Sequence, residues 1–412
     1  MIVDVGPARA EWLRAIREAA GEDAFGQLEN LARSLRGHRL AMVNSTATGG
    51  GVAEILHRLV RLLNGLGVDT RWHVLPGDER YYRITKAIHN GLHGAPAVIT
   101  DDDWRHFLEV ASAGAAGLGL DADLVLIHDP QPAALVQMLR RPGQPWVWRC
   151  HIDLSAADRL VWQRLAPYVA AYDATIFSHA AFVPPLPIPA YLVPPSIDPL
   201  SDKNRELDEA EQERLLAPFG LPDDVPLVTQ VSRFDRLKDP IGVLEAFDLV
   251  SREESAHLVL AGGAADDDPE GREVLAEVRA RAGDRRDVTL LDLPPDAHLV
   301  INALQRRSAV VVQKSLREGF ALTVAEALWK RRAVVAGAVG GIPLQVLHER
   351  TGLLVRSVPG CAYQITRLLR SPELRRRLAL AGREHVRRHF LLPREACDYL
   401  AVFASLATAA RT

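Results

Sequence analysis

Glu318 and Glu326 are separated by seven residues in VVVQKSLREGFALTVAEALWKRRAVV, residues 310–335. In this stretch an apolar strand passes through a short loop into a helix and on to a second apolar strand. Glu318 stands in the loop, at the carboxyl edge where an open parallel sheet collects its ligands. The following helix aims free N–H groups at the same edge, which suits an anion. The segment taken alone reads equally well as a solvated turn followed by a surface helix.

Other residues decide between these readings. Arg233 and Lys238 occupy one strand-to-helix loop, SRFDRLKDP. An arginine grips two phosphate oxygens in a fork and a lysine adds a mobile point charge, a pairing suited to a diphosphate. Surface ion pairs with Asp235 or Asp239 are the alternative. Set beside a helix amino terminus and a carboxylate, the two cations point to an anion site facing a hydroxylated group, as a phosphorylated sugar requires. In the amino-terminal half, two successive strands end in histidine and aspartate: LVLIH at His128 and Asp129, and PWVWRC before His151 and Asp153. A third strand, RLAMVN, runs into the glycines Gly49, Gly50 and Gly51 at the start of a helix, which lets a ligand approach the backbone closely. These glycines lack the spacing of the dinucleotide fingerprint, so a dehydrogenase reading is not supported.

Positioning these loops takes two α/β domains, because 412 residues exceed one ordinary core. Strand and helix signals alternate through both halves, giving two Rossmann-like, doubly wound domains expected to face each other across a deep cleft. The expected division is an acceptor-binding domain over 1–200 with extra amino-terminal helices, a proline- and charge-rich linker over 201–225, and a nucleotide-sugar domain over 226–385. A last helix over 386–412 is expected to cross back to the first domain. A formal charge of −3 gives no reason to expect nucleic acid, and no apolar run is long enough for a bilayer. Three widely spaced cysteines, Cys150, Cys361 and Cys397, suggest a reducing compartment without disulfides or a metal site. With no secretory signal in view, a cytoplasmic protein is expected, its extra helices available for a homodimer contact.

SRFDRLKD, EGFALTVAE and VGGIP at Val339–Pro343 resemble the donor half of retaining glycosyltransferases with the GT-B fold, the sucrose- and glycogen-synthase-like group. VNSTATGGGVAEILH, HDPQPAAL, WRCHIDLS and PPSIDPLS resemble the trehalose glycosyltransferring synthases within it. The resemblance implies that Arg233 and Lys238 neutralise the donor diphosphate and that Glu318 holds hydroxyls of the transferred glucose beside the backbone of Gly319 and Phe320. It further implies that Glu326 binds the ribose, that amides near Leu322 and Thr323 face the distal phosphate, and that Gly50 and Gly51 let the amino-terminal loop close on the donor. The loop at Gly262 is expected near the base. His151 would lie over the reacting sugar and Asp129 would hold the acceptor, with Arg149 and Asp153 as neighbours. The implied activity moves glucose from a nucleoside diphosphate glucose, such as UDP-, ADP- or GDP-glucose, to free glucose, with the leaving phosphate as base. No cofactor or metal is implied. A phosphorylase using inorganic phosphate, another small polyol acceptor and a non-enzymatic sugar-nucleotide regulator are the competing readings. Two departures from the family pattern stand out: Ala321 replaces a common glycine, and Asp239 with Pro240 alters the turn after Lys238.

Overall fold

The structure, a computed structural model, describes residues 1–48, 50–263 and 269–409. The chain divides into two compact units, one of Met1–Pro195 with Leu392–Thr412 and one of Ser196–Leu391.

The first unit holds a seven-stranded sheet: β1 (Ile2–Val3), β2 (Arg39–Asn44), β3 (Asp69–Val74), β4 (Leu124–His128), β5 (Trp146–Arg149), β6 (Ala174–Phe177) and β7 (Ala190–Leu192). Its order is β1-β3-β2-β4-β5-β6-β7, parallel except for the edge strand β1. Helices cover both faces of such a sheet, so its central strands are apolar throughout instead of alternating with polar residues. Trp146, Trp148 and Cys150 enter one core together with Val125 and Ile127. Val147 and Arg149 alternate with them and point to the opposite face. The winding direction reverses between β2 and β4, which places the loop after Asn44 and the residue after His128 at the switch point.

The second unit carries six parallel strands: β8 (Leu227–Val231), β9 (His257–Gly262), β10 (Val288–Asp292), β11 (Val310–Gln313), β12 (Ala333–Gly337) and β13 (Leu353–Val355). They run in the order β10-β9-β8-β11-β12-β13. Val228, Leu258, Leu260, Val310 and Val312 pack on one side with Phe247 and Ile365. Leu227, Val259 and Ala261 pack on the other with Leu304. This two-residue alternation distributes each strand between two cores. Here the switch lies between β8 and β11, paired through Val310 with Val228 and Val311 with Thr229. The loops carrying Lys238 and Glu318 therefore leave neighbouring strands.

Two boundaries differ from the expected division. Residues 201–225 are not a linker: Leu207 and Leu216 are buried in the core of the second unit, and Asn302 Nδ2 donates to the carbonyls of Asp202 (2.8 Å) and Arg205 (2.9 Å). Proline and charge dominate the composition of this stretch and mask its two anchoring leucines. The helix that joins the first unit is Leu392–Ala409, preceded by a separate helix, Pro372–His389, in the second. Leu392–Ala409 packs against the helices Glu22–Ser34 and Gly50–Gly65, so the extra amino-terminal layer has a partner within its own chain. Among the described residues no helix is long and apolar enough to cross a membrane.

Candidate active site

In the second unit, β8 hands over to a loop in which Asp235 accepts from the amide of Leu237 at 2.7 Å, fixing the short 3-10 turn Arg236–Lys238. Gln230 Nε2 donates to the Lys238 carbonyl at 2.8 Å. So held, Lys238 Nζ lies 2.5 Å from Glu318 Oε2, and Ser315 Oγ donates to the same oxygen at 3.2 Å. The Lys238 and Glu318 side chains are 20% and 10% exposed, accessible yet partly shielded from water. Arg233, in the same loop, is 59% exposed and pairs with Asp235 at 3.0 Å.

The loop from Glu318 turns into the helix Leu322–Trp329 through Ala321, at φ 70°, and no side chain caps that helix. The amides of Leu322 and Thr323 thus head a helix whose N-terminal dipole is free to meet an anion. Ala321 takes a left-handed backbone that favours glycine, so the departure noted in the sequence is met by local strain. Gly340 explains the VGGIP motif. At φ +52°, it lies so close under the loop that an added Cβ would stand 1.6 Å from the Glu318 carbonyl oxygen. Gly262 does the same for the neighbouring loop, where a Cβ would stand 1.7 Å from the Ser232 carbonyl oxygen.

Glu326 is only 3% exposed and has Lys330 one helical turn away. Lys330 Nζ donates to Asn204 Oδ1 (3.0 Å), Gln305 Oε1 (2.8 Å) and the Glu326 carbonyl (3.2 Å). Burial lowers the Lys330 ammonium to about 7, against the opposing pull of the Glu326 carboxylate.

In the first unit the strand ends form one cluster. Asp129, at φ 64°, accepts from the His151 amide through Oδ1 at 2.8 Å, and its carbonyl accepts from Trp148 Nε1 at 2.9 Å. His128 Nδ1 and His151 Nε2 share a hydrogen bond of 3.0 Å, their rings stacked with centroids 5.4 Å apart. Burial, reinforced by the Arg149 charge, pushes His128 down to about 3 and His151 well below its ordinary value. Both imidazoles are therefore neutral at physiological pH, one donating and the other accepting. Burial raises Asp129 to about 6, against the pull of the His151 amide and Arg149.

The structure thus brings together Asp129, His151 and His128, the last of which is the partner that fixes His151. Arg149 is fully buried, with Nη2 donating to Ser178 Oγ at 3.1 Å and Nε and Nη1 unpartnered. Its charge acts on Asp129, His128 and His151. Asp153 is turned to its own loop, where it accepts from the Ser155 amide at 2.9 Å. Gly50 and Gly51 open the helix Gly50–Gly65, while Gly49 lies outside the described residues. No cluster of histidine, cysteine and carboxylate suited to a metal occurs among the described residues.

Two doubly wound sheets, parallel but for the edge strand β1, with a cation–carboxylate pair bridging the switch-point loops of the second, match the GT-B fold of glycosyltransferases. Solved structures of the same fold include a sucrose-phosphate synthase from Thermosynechococcus elongatus (TM-score 0.69, 20% identity, covering 90% of this chain and 100% of that one). A trehalose-6-phosphate synthase matches with TM-score 0.71 and 15% identity, covering 90% and 99%. Residues 42–184 match the family model described as trehalose synthase, N-terminal domain, and residues 211–385 match glycosyl transferases group 1. The chain is 41% identical to a trehalose synthase of Rubrobacter xylanophilus over 95% of its own length and 96% of the relative's. To that of Pyrococcus horikoshii it is 39% identical over 96% of each. The chain belongs to the trehalose synthase family.

Because Gly340 carries the Glu318 loop on its bare backbone, Gly340→Ala is expected to displace Glu318 and lower glycosyl transfer at least tenfold, with a loss of about 1–3 kcal/mol in denaturant unfolding. Ala321→Gly, relieving the left-handed alanine, is expected to raise stability by about 0.5–1 kcal/mol with activity kept.

Proposed function

We propose that this protein transfers glucose, with retention of configuration, from a nucleoside diphosphate glucose to the anomeric hydroxyl of free glucose, giving α,α-trehalose. The observation that carries the donor half of this reading is the meeting of Lys238 with Glu318 at the switch point of the second unit. Glu318 accepts from sugar hydroxyls while Lys238, Arg233 and the amides of Leu322 and Thr323 take the diphosphate. In the reaction the bond from the sugar C1 to the phosphate oxygen breaks and a bond from C1 to the acceptor oxygen forms on the same face. The acceptor proton passes to the departing phosphate oxygen, whose charge these cations and amides stabilise. Glu326 serves the ribose, and the Gly262 loop lies toward the base.

The acceptor half rests on Asp129 and His151. Asp129 accepts a hydrogen bond from a glucose hydroxyl, and the neutral His151, held by His128, bonds a sugar oxygen without adding charge. Arg149 acts through these groups by its field. Free cysteines at 150, 361 and 397 support a cytoplasmic site of action. A homodimer, the remaining part of the proposal, would be read from sedimentation of the intact chain.

The purified protein is expected to release trehalose when given glucose with UDP-, ADP- or GDP-glucose. Lys238→Ala should lower kcat on the order of 100- to 1000-fold while leaving unfolding nearly unchanged. Trehalose cleavage that requires inorganic phosphate, and ignores nucleoside diphosphate, would instead favour the phosphorylase reading. That reading draws on a trehalose phosphorylase of Pleurotus pulmonarius, 29% identical over 84% of this chain and 54% of that one.

The raised carboxyl of Asp129 gives a pH signature. As pH falls through about 6, Asp129 takes up a proton and ceases to be a pure acceptor, so kcat/KM for glucose should fall on the acid side with a midpoint near 6. Asp129→Asn should lower activity and flatten that limb. A limb centred near the ordinary carboxylate value of about 4 would count against the assignment.

A further inference from the structure

The two loops that bring Lys238 to Glu318 are tied a second time. Lys314 Nζ pairs with Asp239. The arrangement is crossed: the loop after β8 supplies Lys238 and then Asp239, the loop after β11 supplies Lys314 and then Glu318, and each lysine bonds the carboxylate of the other loop. A backbone bond, Leu316 N to the Leu237 carbonyl at 2.8 Å, lies between the two pairs.

The pairs differ in what they can do. Lys314 is the more enclosed lysine, its side chain 8% exposed against 20% for Lys238. Asp239 is committed twice, because it also caps the helix Pro240–Val250 by accepting from the Gly242 amide at 3.0 Å. Gly242 makes room for this, since a Cβ there would stand 2.2 Å from Asp239 Oδ2. Asp239 sits at φ 52°, a backbone that aspartate and asparagine tolerate better than most residues. A diphosphate drawn to Lys238 and a sugar drawn to Glu318 compete with the bond between those two side chains, whereas nothing in that exchange needs Lys314 or Asp239.

We propose that the Asp239–Lys314 ion pair positions the donor site, holding the loops after β8 and β11 in register while Lys238 and Glu318 exchange their mutual bond for bonds to the nucleoside diphosphate sugar. This rests on the donor-site reading given above. Lys314 and Asp239 are positioning residues: they act through Lys238 and Glu318 and touch no reacting atom. The turn after Lys238, which departs from the family pattern at Asp239 and Pro240, is thereby a built feature, with its own counter-ion on the facing loop.

Asp239→Asn tests this with little disturbance, because asparagine keeps the left-handed backbone and the helix cap and removes only the charge. Lys314→Met keeps the length of the side chain and removes the other partner. In both variants KM for the nucleoside diphosphate glucose should rise tenfold or more, KM for glucose should stay within twofold, and Lys314→Arg should recover most of the loss. Titration of nucleoside diphosphate alone onto the intact protein should show the same tenfold weakening, a readout independent of turnover. A purely structural pair would instead reduce the folded fraction and apparent kcat with donor KM unchanged. That result, or donor KM and diphosphate affinity within twofold of the parent in Asp239→Asn, would overturn the proposal. Should Lys314→Met fail to fold, Asp239→Asn with Lys314→Arg still decides it. An inactive parent protein would speak against the glucosyl-transfer reading, while the diphosphate titration would still decide on the ion pair.

Discussion

Lys238 and Glu318 stand 80 residues apart in the chain and 2.5 Å apart in space, and the second unit is arranged so that they meet. Their loops leave β8 and β11, strands that are neighbours only because the winding reverses between them. Parallel strands deliver their following loops to one edge, and at a reversal the two loops diverge and leave room for a ligand. An exposed ion pair contributes only about 0.2–1 kcal/mol. Partial shielding strengthens this one, yet it stays accessible enough for a diphosphate and a sugar to compete for its members. Ser315, Gln230 and the bare backbone of Gly340 fix the geometry from three sides.

The first unit solves a different electrostatic problem. Burial is the larger influence on the groups around the buried Arg149 guanidinium, whose charge is a lesser one. His128 and His151 stay neutral, and Asp129 is pulled by the charge while burial pushes it the other way. The outcome is a carboxylate that titrates close to physiological pH beside an imidazole pair that does not. That combination suits the recognition of hydroxyls better than general acid–base work by histidine.

Much of this was legible in the residues. Alternating apolar strands and helices revealed two doubly wound sheets, and the strand ends at His128 and His151 marked a polar edge in the first. Arg233, Lys238 and Glu318 were visible as loop residues with complementary chemistry. The Asp239–Lys314 pair was not, because its members are 75 residues apart; Asp239 stood out as a departure in the turn after Lys238, but nothing in the sequence pointed to Lys314 as its partner. Arg149 looked like one more strand-end residue; only the two-residue alternation against Trp146 and Trp148, fixed by packing, turns it inward. The stretch over 201–225 misled by composition, since two buried leucines and the amide of Asn302 outweigh its many charges. Gly340 was recognisable as part of a motif, but its reason, a carbonyl oxygen pressed against its backbone, exists only in three dimensions.

The central claim, retaining transfer of glucose to an anomeric hydroxyl, is tested most directly by the stereochemistry of the product. Isotopically labelled glucose would be incubated with unlabelled nucleoside diphosphate α-glucose, and the disaccharide examined by proton and carbon magnetic resonance. The account predicts a 1,1-linked disaccharide with α configuration at both anomeric carbons and the label in one ring. A β configuration at the transferred carbon, or a linkage to any other hydroxyl, would contradict it.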